Sequence, residues 1–211
     1  MSKTLLIFGG KSTAIEIAEI AKEFYETEFS NVKYVIGNTE KKANDDQLFD
    51  SEISVFLKSN DCNFIISFSD HNLRLKIENW MKEHNIKAAN IIHPNAIISK
   101  SAIIGFGNYI AAFAIISTNA KIGDHNIINY CTTIGHDSTL GNHVIVNPGA
   151  RVSGNVNIGS RILIGANSFI FQGKSIGDDT LIDALTYIDR DIDKKMICSS
   201  KHVNIFKRVI F

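Results

Sequence analysis

The stretch Ile116-Ser117-Thr118-Asn119-Ala120-Lys121-Ile122-Gly123-Asp124-His125-Asn126-Ile127-Ile128-Asn129-Tyr130-Cys131-Thr132-Thr133-Ile134 places an aliphatic residue at every sixth position. Followed in both directions, the series runs Ile92, Ile98, Ile104, Ile110, Ile116, Ile122, Ile128, Ile134, Leu140, Val146, Val152, Ile158, Ile164, Ile170, Ile176, Ile182 and Ile188, 17 positions without a slip. The next residue is often glycine, as at Gly105, Gly123, Gly135, Gly141, Gly159, Gly165 and Gly177. The residue four after is usually small, as at Ala96, Ala102, Ala114, Ala120, Thr132, Ser138 and Ala150. A period of six matches neither an α-helix nor a hairpin meander. It matches a triangular coil of short parallel strands joined by tight corners. The aliphatic residue points inward, and small residues sit where the interior narrows. Three hexapeptides close one coil, so Ile98, Ile116, Ile134, Val152 and Ile170 stack. The repeat makes just over five coils, each burying its inner face against its neighbours. From Asp189 the pattern stops, and the tail is expected to pack over the last coil or a neighbouring subunit.

The residues before the repeat follow other rules. Thr4 to Phe8 is an apolar run ending at Gly9-Gly10, which reads as a buried strand entering a glycine loop. Ala14 to Tyr25 has helical spacing, with Ser12 or Thr13 as expected cap. Val32 to Ile36 reads as a second strand, Lys41 to Asp50 as loop and Phe64 to Phe68 as a third strand. Asn72 to His84 reads as a helix with Leu73, Ile77, Trp80 and Met81 on one face. This order predicts an α/β, Rossmann-like domain over 1–90, a parallel β-helix over 91–188 and a tail over 189–211.

Bulk composition narrows the function. Acidic and basic residues balance at 22 each, leaving no basic excess for a nucleic-acid partner. The apolar run after Met1-Ser2-Lys3-Thr4 is too short for a signal peptide or membrane span, so a cytoplasmic protein is expected. Cys62, Cys131 and Cys198 have no paired spacing, and the histidines show no metal-ligand pattern, so no disulfide framework and no metal are expected. Gly10-Lys11-Ser12 ends like a P-loop, but the earlier glycine it requires is Leu5. What remains is a strand-to-helix glycine loop whose amides suit a diphosphate.

Three passages together resemble the PglD/NeuD family of sugar acyltransferases: Leu5-Leu6-Ile7-Phe8-Gly9-Gly10-Lys11-Ser12-Thr13, Ile91-Ile92-His93-Pro94-Asn95-Ala96-Ile97-Ile98-Ser99, and Thr133-Ile134-Gly135-His136-Asp137-Ser138-Thr139-Leu140-Gly141. The resemblance covers nearly the whole chain. It implies a left hand for the coil, which the period alone does not decide. It also implies a homotrimer that transfers an acetyl group from acetyl-CoA, or another acyl-CoA, to the amine of a nucleotide-linked amino sugar, with each site in the cleft between adjacent β-helices. O-acetylation of a sugar hydroxyl, and a non-catalytic nucleotide-sugar binder, are the competing expectations.

Acyl transfer to an amine needs a base, a donor for the developing oxyanion, and two held substrates. The resemblance makes His136 the base and Asp137 the carboxylate that orients it. It gives Gly154 a backbone amide facing the acyl carbonyl, and places Ala166 and Ala184 along the CoA channel. A second histidine of the family falls at Ile145 here, with His143 two residues earlier, either its substitute or a surface residue. His71, His84, His93, His125 and His202 read as surface or turn residues. Gly9, Gly10, Lys11, Ser12 and Thr13 are expected to hold the nucleotide, with Asn38, Thr39, Ser69 and Asp70 following the second and third strands on the same edge. The family's closing Gly-x-Pro-Ala-Lys motif is replaced by Ile197-Cys198-Ser199-Ser200-Lys201.

Overall fold

A computed structural model describes residues 3–38 and 45–200. Its first part is a five-stranded parallel sheet. The strands are β1 (Lys3–Phe8), β2 (Phe29–Ile36), β3 (Gln47–Phe49), β4 (Cys62–Ile66) and β5 (Lys87–Ala88), in the order β3-β2-β1-β4-β5. The Leu5–Phe8 run is continuously apolar because both faces of the sheet are covered. Leu5 and Ile7 pack against helix α1 (Ser12–Phe24). Leu6 and Phe8 face the other way, toward Ile53 of α2 (Ile53–Phe56) and Met81 of α3 (His71–Glu83).

Two local expectations are corrected. Ser12 and Thr13 do not cap α1; the N-cap is Lys11, with no side-chain cap bond. The segment expected to be loop contains β3, paired in parallel with β2 through Tyr34↔Gln47 and Ile36↔Phe49. Strand β5 and helix α2 also lacked a sequence signal. These elements are two to four residues long, too short to express a period, and exist because the neighbouring edge or core completes them.

The second part is the left-handed parallel β-helix. Two-residue strands from Ile91–Ile92 to Tyr187–Ile188 each end on one of the seventeen aliphatic positions. Residues 18 apart pair in parallel, as in Ile116↔Ile134 and Ile134↔Val152. The strands form three sheets, one per side of the prism. The docking face carries Tyr109, Ile127 and Ile145; the second face carries Ile115, Thr133 and Arg151; the third carries Lys121, Thr139 and Asn157. Ile110 through Ile188 of the inward series form one buried cluster. Past Asp189 the chain keeps winding. Ile192 bridges Ile176, Ile197–Cys198 pairs with Leu181–Ile182, and Ile192 and Cys198 pack on the buried column.

From Gly107 to Leu185 each corner contains one residue with positive φ, repeating every six: Gly107, Phe113, Asn119, His125, Cys131, Asp137, His143, Gly149, Asn155, Arg161, Asn167, Gly173, Asp179 and Leu185. Asparagine and aspartate tolerate this region because their short polar side chains bond locally. Side-chain oxygens also cap the coil above. Asn108 N donates to Asn90 Oδ1 (2.8 Å), Asn126 N to Asn108 Oδ1 (2.8 Å), and Val144 N to Asn126 Oδ1 (2.7 Å).

The two parts share a core. The outward residues of the docking face, Ile91, Tyr109, Ile127 and Ile145, are apolar, and they pack on Ile17, Ala21 and Ile65. Tyr25 Oη donates to Ile92 O and accepts from Ile92 N, both at 3.0 Å. The position of the first domain is therefore set by outward residues of the repeat, while the inward residues set the coil.

Candidate active site

His136 stands at the corner between the second and third faces, directly after Ile134 and Gly135. The inward Ile134 is fully buried and anchors the coil, so the next residues must turn outward. Asp137 takes the left-handed corner position with φ of 57°. That turn folds its carboxylate back to His136, where Oδ2 lies 2.8 Å from Nδ1. Asn119, one coil earlier in the same column, donates from Nδ2 to Asp137 Oδ1 at 3.0 Å. The Asn119 bond, then the His136 bond, hold the Asp137 carboxyl below its usual range. With Nδ1 committed to the carboxylate, the imidazole turns Nε2 toward Gly154 of the next coil, and half of the side chain is open to solvent.

Gly154, 18 residues on, lies under the imidazole. A Cβ built there would meet His136 Nε2 first, with Cε1 at 2.6 Å and Cδ2 at 2.8 Å. Its lack of a side chain is therefore part of how the ring sits.

A second feature lies on the other side of the molecule. A cavity of about 650 Å³ opens between the carboxyl edge of the parallel sheet and the β-helix. Gly9, Gly10, Lys11, Ser12, Thr13 and Ser69 line it, all expected from sequence. Ile127, Asn129, Ile145 and Asn147 form the opposite wall, and Asp50 closes one side. The start of α1 has no side-chain cap; Ala14 N and Ile15 N donate to Lys11 O, which leaves the Ser12 and Thr13 amides facing the cavity residues, with the positive charge of Lys11 beside them. Asn38 lines an adjoining cavity that shares Phe8, Asp50 and Ile77. Thr39 lies outside the described residues.

Asp70 is a correction. Its carboxylate accepts from Leu73 N at 3.0 Å as the cap of α3, and it does not line the cavity. Ile145 is placed in the shared core and the cavity wall, on a different face from His136. Ala166 and Ala184 stack at the corner that follows the docking face, beyond Asn129 and Asn147. Within one chain, then, Ala166 and Ala184 share a corner with the cavity, while His136 and Gly154 occupy another.

Two histidines read as surface residues are buried. His143 is 2 % exposed and His125 is 3 % exposed. Both sit at the third corner, against α3. His143 Nε2 lies 2.6 Å from Glu78 Oε2, and Arg74 Nε donates to His143 Nδ1 at 3.4 Å. Burial pushes the pKa of both imidazoles down, that of His125 to about 4. His143 is thus neither a donor-site histidine nor a surface residue. His71 is only partly exposed, with Nε2 buried and its pKa lowered by burial. His84 is exposed, His93 is partly exposed, and His202 falls outside the described residues. Among the described residues, no group of three or more metal-ligating side chains is assembled. No helix there is long and apolar enough to cross a membrane.

No protein-family model and no curated protein matches this sequence. Solved structures do. The chain is similar to a mutant of perosamine N-acetyltransferase from Caulobacter crescentus, in complex with CoA and GDP-perosamine, at 24 % identity and a TM-score of 0.84, covering 92 % of each chain. It is similar to the acetyltransferase domain of PglB from Neisseria gonorrhoeae FA1090, in complex with acetyl coenzyme A, at 25 % identity and 0.83, covering 93 % of this chain and 96 % of that one. WeeI from Acinetobacter baumannii AYE aligns at 17 % identity and 0.85, covering 94 % and 97 %. The architecture, an α/β unit followed by a left-handed β-helix, is common to all of them.

Proposed function

We propose that this protein transfers an acetyl group from acetyl-CoA to the amine of a nucleotide-linked deoxyamino sugar, as a PglD/NeuD-type enzyme of the cytoplasm. The observation that carries the reading is the His136 arrangement. Its Nδ1 is tied to Asp137 at 2.8 Å, and its Nε2, the atom proposed to take the proton, lies against Gly154, which has no side chain to block it. The glycine-loop cavity supports a nucleotide-linked acceptor, because uncapped helix amides and Lys11 suit a diphosphate. The perosamine N-acetyltransferase structure, with its CoA and GDP-perosamine, supports the same pairing of substrates.

In this reading the amine nitrogen attacks the thioester carbonyl carbon. A C–N bond forms and the C–S bond breaks. His136 Nε2 takes the amine proton and passes it to the departing thiolate, while Asp137 stabilises the imidazolium. The Gly154 amide is proposed to face the carbonyl oxygen, and Ala166 and Ala184 to border the pantetheine arm.

A homotrimer belongs to the same proposal. His136 and the acceptor cavity lie on different corners of one prism, so a complete site needs the corner of a second copy. The test is direct. Acetyl-CoA is mixed with UDP-, dTDP- and GDP-linked amino sugars, and the product mass is read for wild type and His136→Asn. Acetylated amine with wild type, and a loss of about 10²–10⁴-fold in the variant with the oligomer intact, is expected. A fully active His136→Asn protein refutes the mechanism. No product with any amino sugar refutes the function.

A further inference from the structure

The cluster at the third corner takes no part in the chemistry proposed above and does not line the cavity, yet it touches both of the cavity's walls. Arg74 is fully buried. Its Nη1 donates to Phe68 O at 2.6 Å and to Ile66 O at 3.3 Å. These carbonyls flank Ser67 on the strand-end loop whose residues Ser67, Phe68 and Ser69 form one wall. Its Nη2 donates to His125 O, and its Nε to His143 Nδ1. From those two histidines the chain runs two residues to Ile127 and Ile145, and four to Asn129 and Asn147, which form the opposite wall.

We infer that Arg74 is a positioning residue that sets the spacing between the two walls of the acceptor cavity. One guanidinium holds the loop on one side and two successive coil corners on the other. Only arginine supplies donors in a planar fork that reaches acceptors in three directions; a lysine ammonium is a point charge on a flexible stem. The geometry also settles the His143 tautomer. Nδ1 accepts from Arg74, so the ring proton is on Nε2, where it is given to Glu78. Glu78 also lies 3.6 Å from His125 Nε2, and it balances the Arg74 charge. The His125 and His143 rings stack at 5.2 Å, so the two corners move as one unit.

The inference rests on the reading of the cavity as the nucleotide-sugar site, and its test separates the two. Arg74→Lys keeps the charge beside Glu78 and removes the fork; His143→Gln is a second, milder break in the same tie. Each is assayed for KM of the nucleotide-linked amino sugar, KM of acetyl-CoA, kcat, thermal unfolding, and calorimetric binding of UDP, dTDP and GDP. A positioning role raises KM for the acceptor tenfold or more in Arg74→Lys and severalfold in His143→Gln. KM for acetyl-CoA stays within twofold, and the best nucleoside diphosphate binds correspondingly weaker. A purely structural role lowers only the unfolding temperature. A folded Arg74→Lys protein with unchanged acceptor KM and unchanged diphosphate affinity overturns the inference. So does an equal rise in both KM values. If Arg74→Lys does not fold, the same criteria applied to His143→Gln decide. Wild-type protein that binds none of the three diphosphates overturns the cavity reading itself.

Discussion

Gly154→Ala tests the active-site geometry more sharply than removal of the histidine. The new Cβ would meet His136 Nε2 first, with Cε1 at 2.6 Å and Cδ2 at 2.8 Å. Carbon atoms rest at about 3.5–4.0 Å. Something must therefore yield by about 1 Å. The coil around Gly154 cannot yield easily, because Val152 and Val156 on either side are 1 % and 0 % exposed. The imidazole can, because half of its surface is free. The ring therefore swings outward and the Asp137 bond is stretched. A displacement of about 1 Å at a reacting group costs about 10²-fold in rate, equivalent to about 3 kcal/mol in the barrier. Gly154 is not among the positive-φ glycines, so alanine strains no backbone and the unfolding temperature should barely move. Gly173→Ala is the matched control. It has φ of +73° with nothing within 4 Å of its Cβ, so it should cost about 1–2 kcal/mol of stability and leave kcat alone. Turnover is followed by loss of thioester absorbance, because the exposed Cys131 would react with a thiol reagent. If Gly154→Ala keeps kcat within threefold of wild type, the imidazole does not act from the position described.

Other substitutions probe the rest of the molecule. Ile134→Ala should cost about 2–5 kcal/mol, measured by urea unfolding, because Ile134 is fully buried at mid-stack between Ile116 and Val152. An effect below 1 kcal/mol would mean that the column carries little of the stability. Lys11→Met should weaken nucleotide-sugar binding and flatten its salt dependence, with acetyl-CoA binding unchanged; equal salt slopes would remove Lys11 from the diphosphate site. Stability should also fall in acid. His125 has a folded-state pKa of about 4 and His143 a lowered one, with Glu78, Arg74 and Asp124 beside them. A histidine held below its unfolded value binds fewer protons when folded. Its stabilising contribution is therefore complete above about pH 6.5 and is lost as pH falls toward 4, by about 3 kcal/mol for His125. Urea midpoints at pH 8, 6 and 4.5 check this, and a His125→Gln variant should show a shallower fall.

The coil was legible because its period is enforced seventeen times by the same physical demand, an aliphatic side chain in a narrow interior. His136 and the glycine loop were legible because each follows an element that the apolar pattern ends cleanly. Arg74 and Glu78 were not. They lie on the buried side of α3, whereas Leu73, expected to be part of the inward face, is 46 % exposed. Periodicity finds apolar faces, and this part of the helix packs against polar corner residues of the β-helix. The same limit hid His125 and His143. A histidine at a β-helix corner looks like a solvated turn residue until a second domain covers that corner. Asn129 and Asn147 were missed for a related reason, since their role depends on which face the first domain docks against.

That docking choice accounts for the division of labour around the prism. A regular triangular coil has three equivalent faces and three equivalent corners, and nothing in the inward column distinguishes them. The outward residues do. Tyr109, Ile127 and Ile145 are covered by α1 and Ile65, whereas the outward Ile97, Ile115 and Tyr187 of the second face stay exposed, and the cavity opens at the covered face. The third corner is then covered by α3 and carries the polar tie through Arg74. The second corner is left to carry His136, half open to solvent and backed by Asp137 and Asn119. The proposed base cannot serve the proposed acceptor cavity of its own chain without bending a coil that has no inserted loop. A second copy, with its axis parallel, can bring one to the other without deforming either. The fold's regularity thus makes assembly the least costly way to complete the proposed site. Dilution below the assembly concentration should abolish turnover while nucleotide binding to each chain persists.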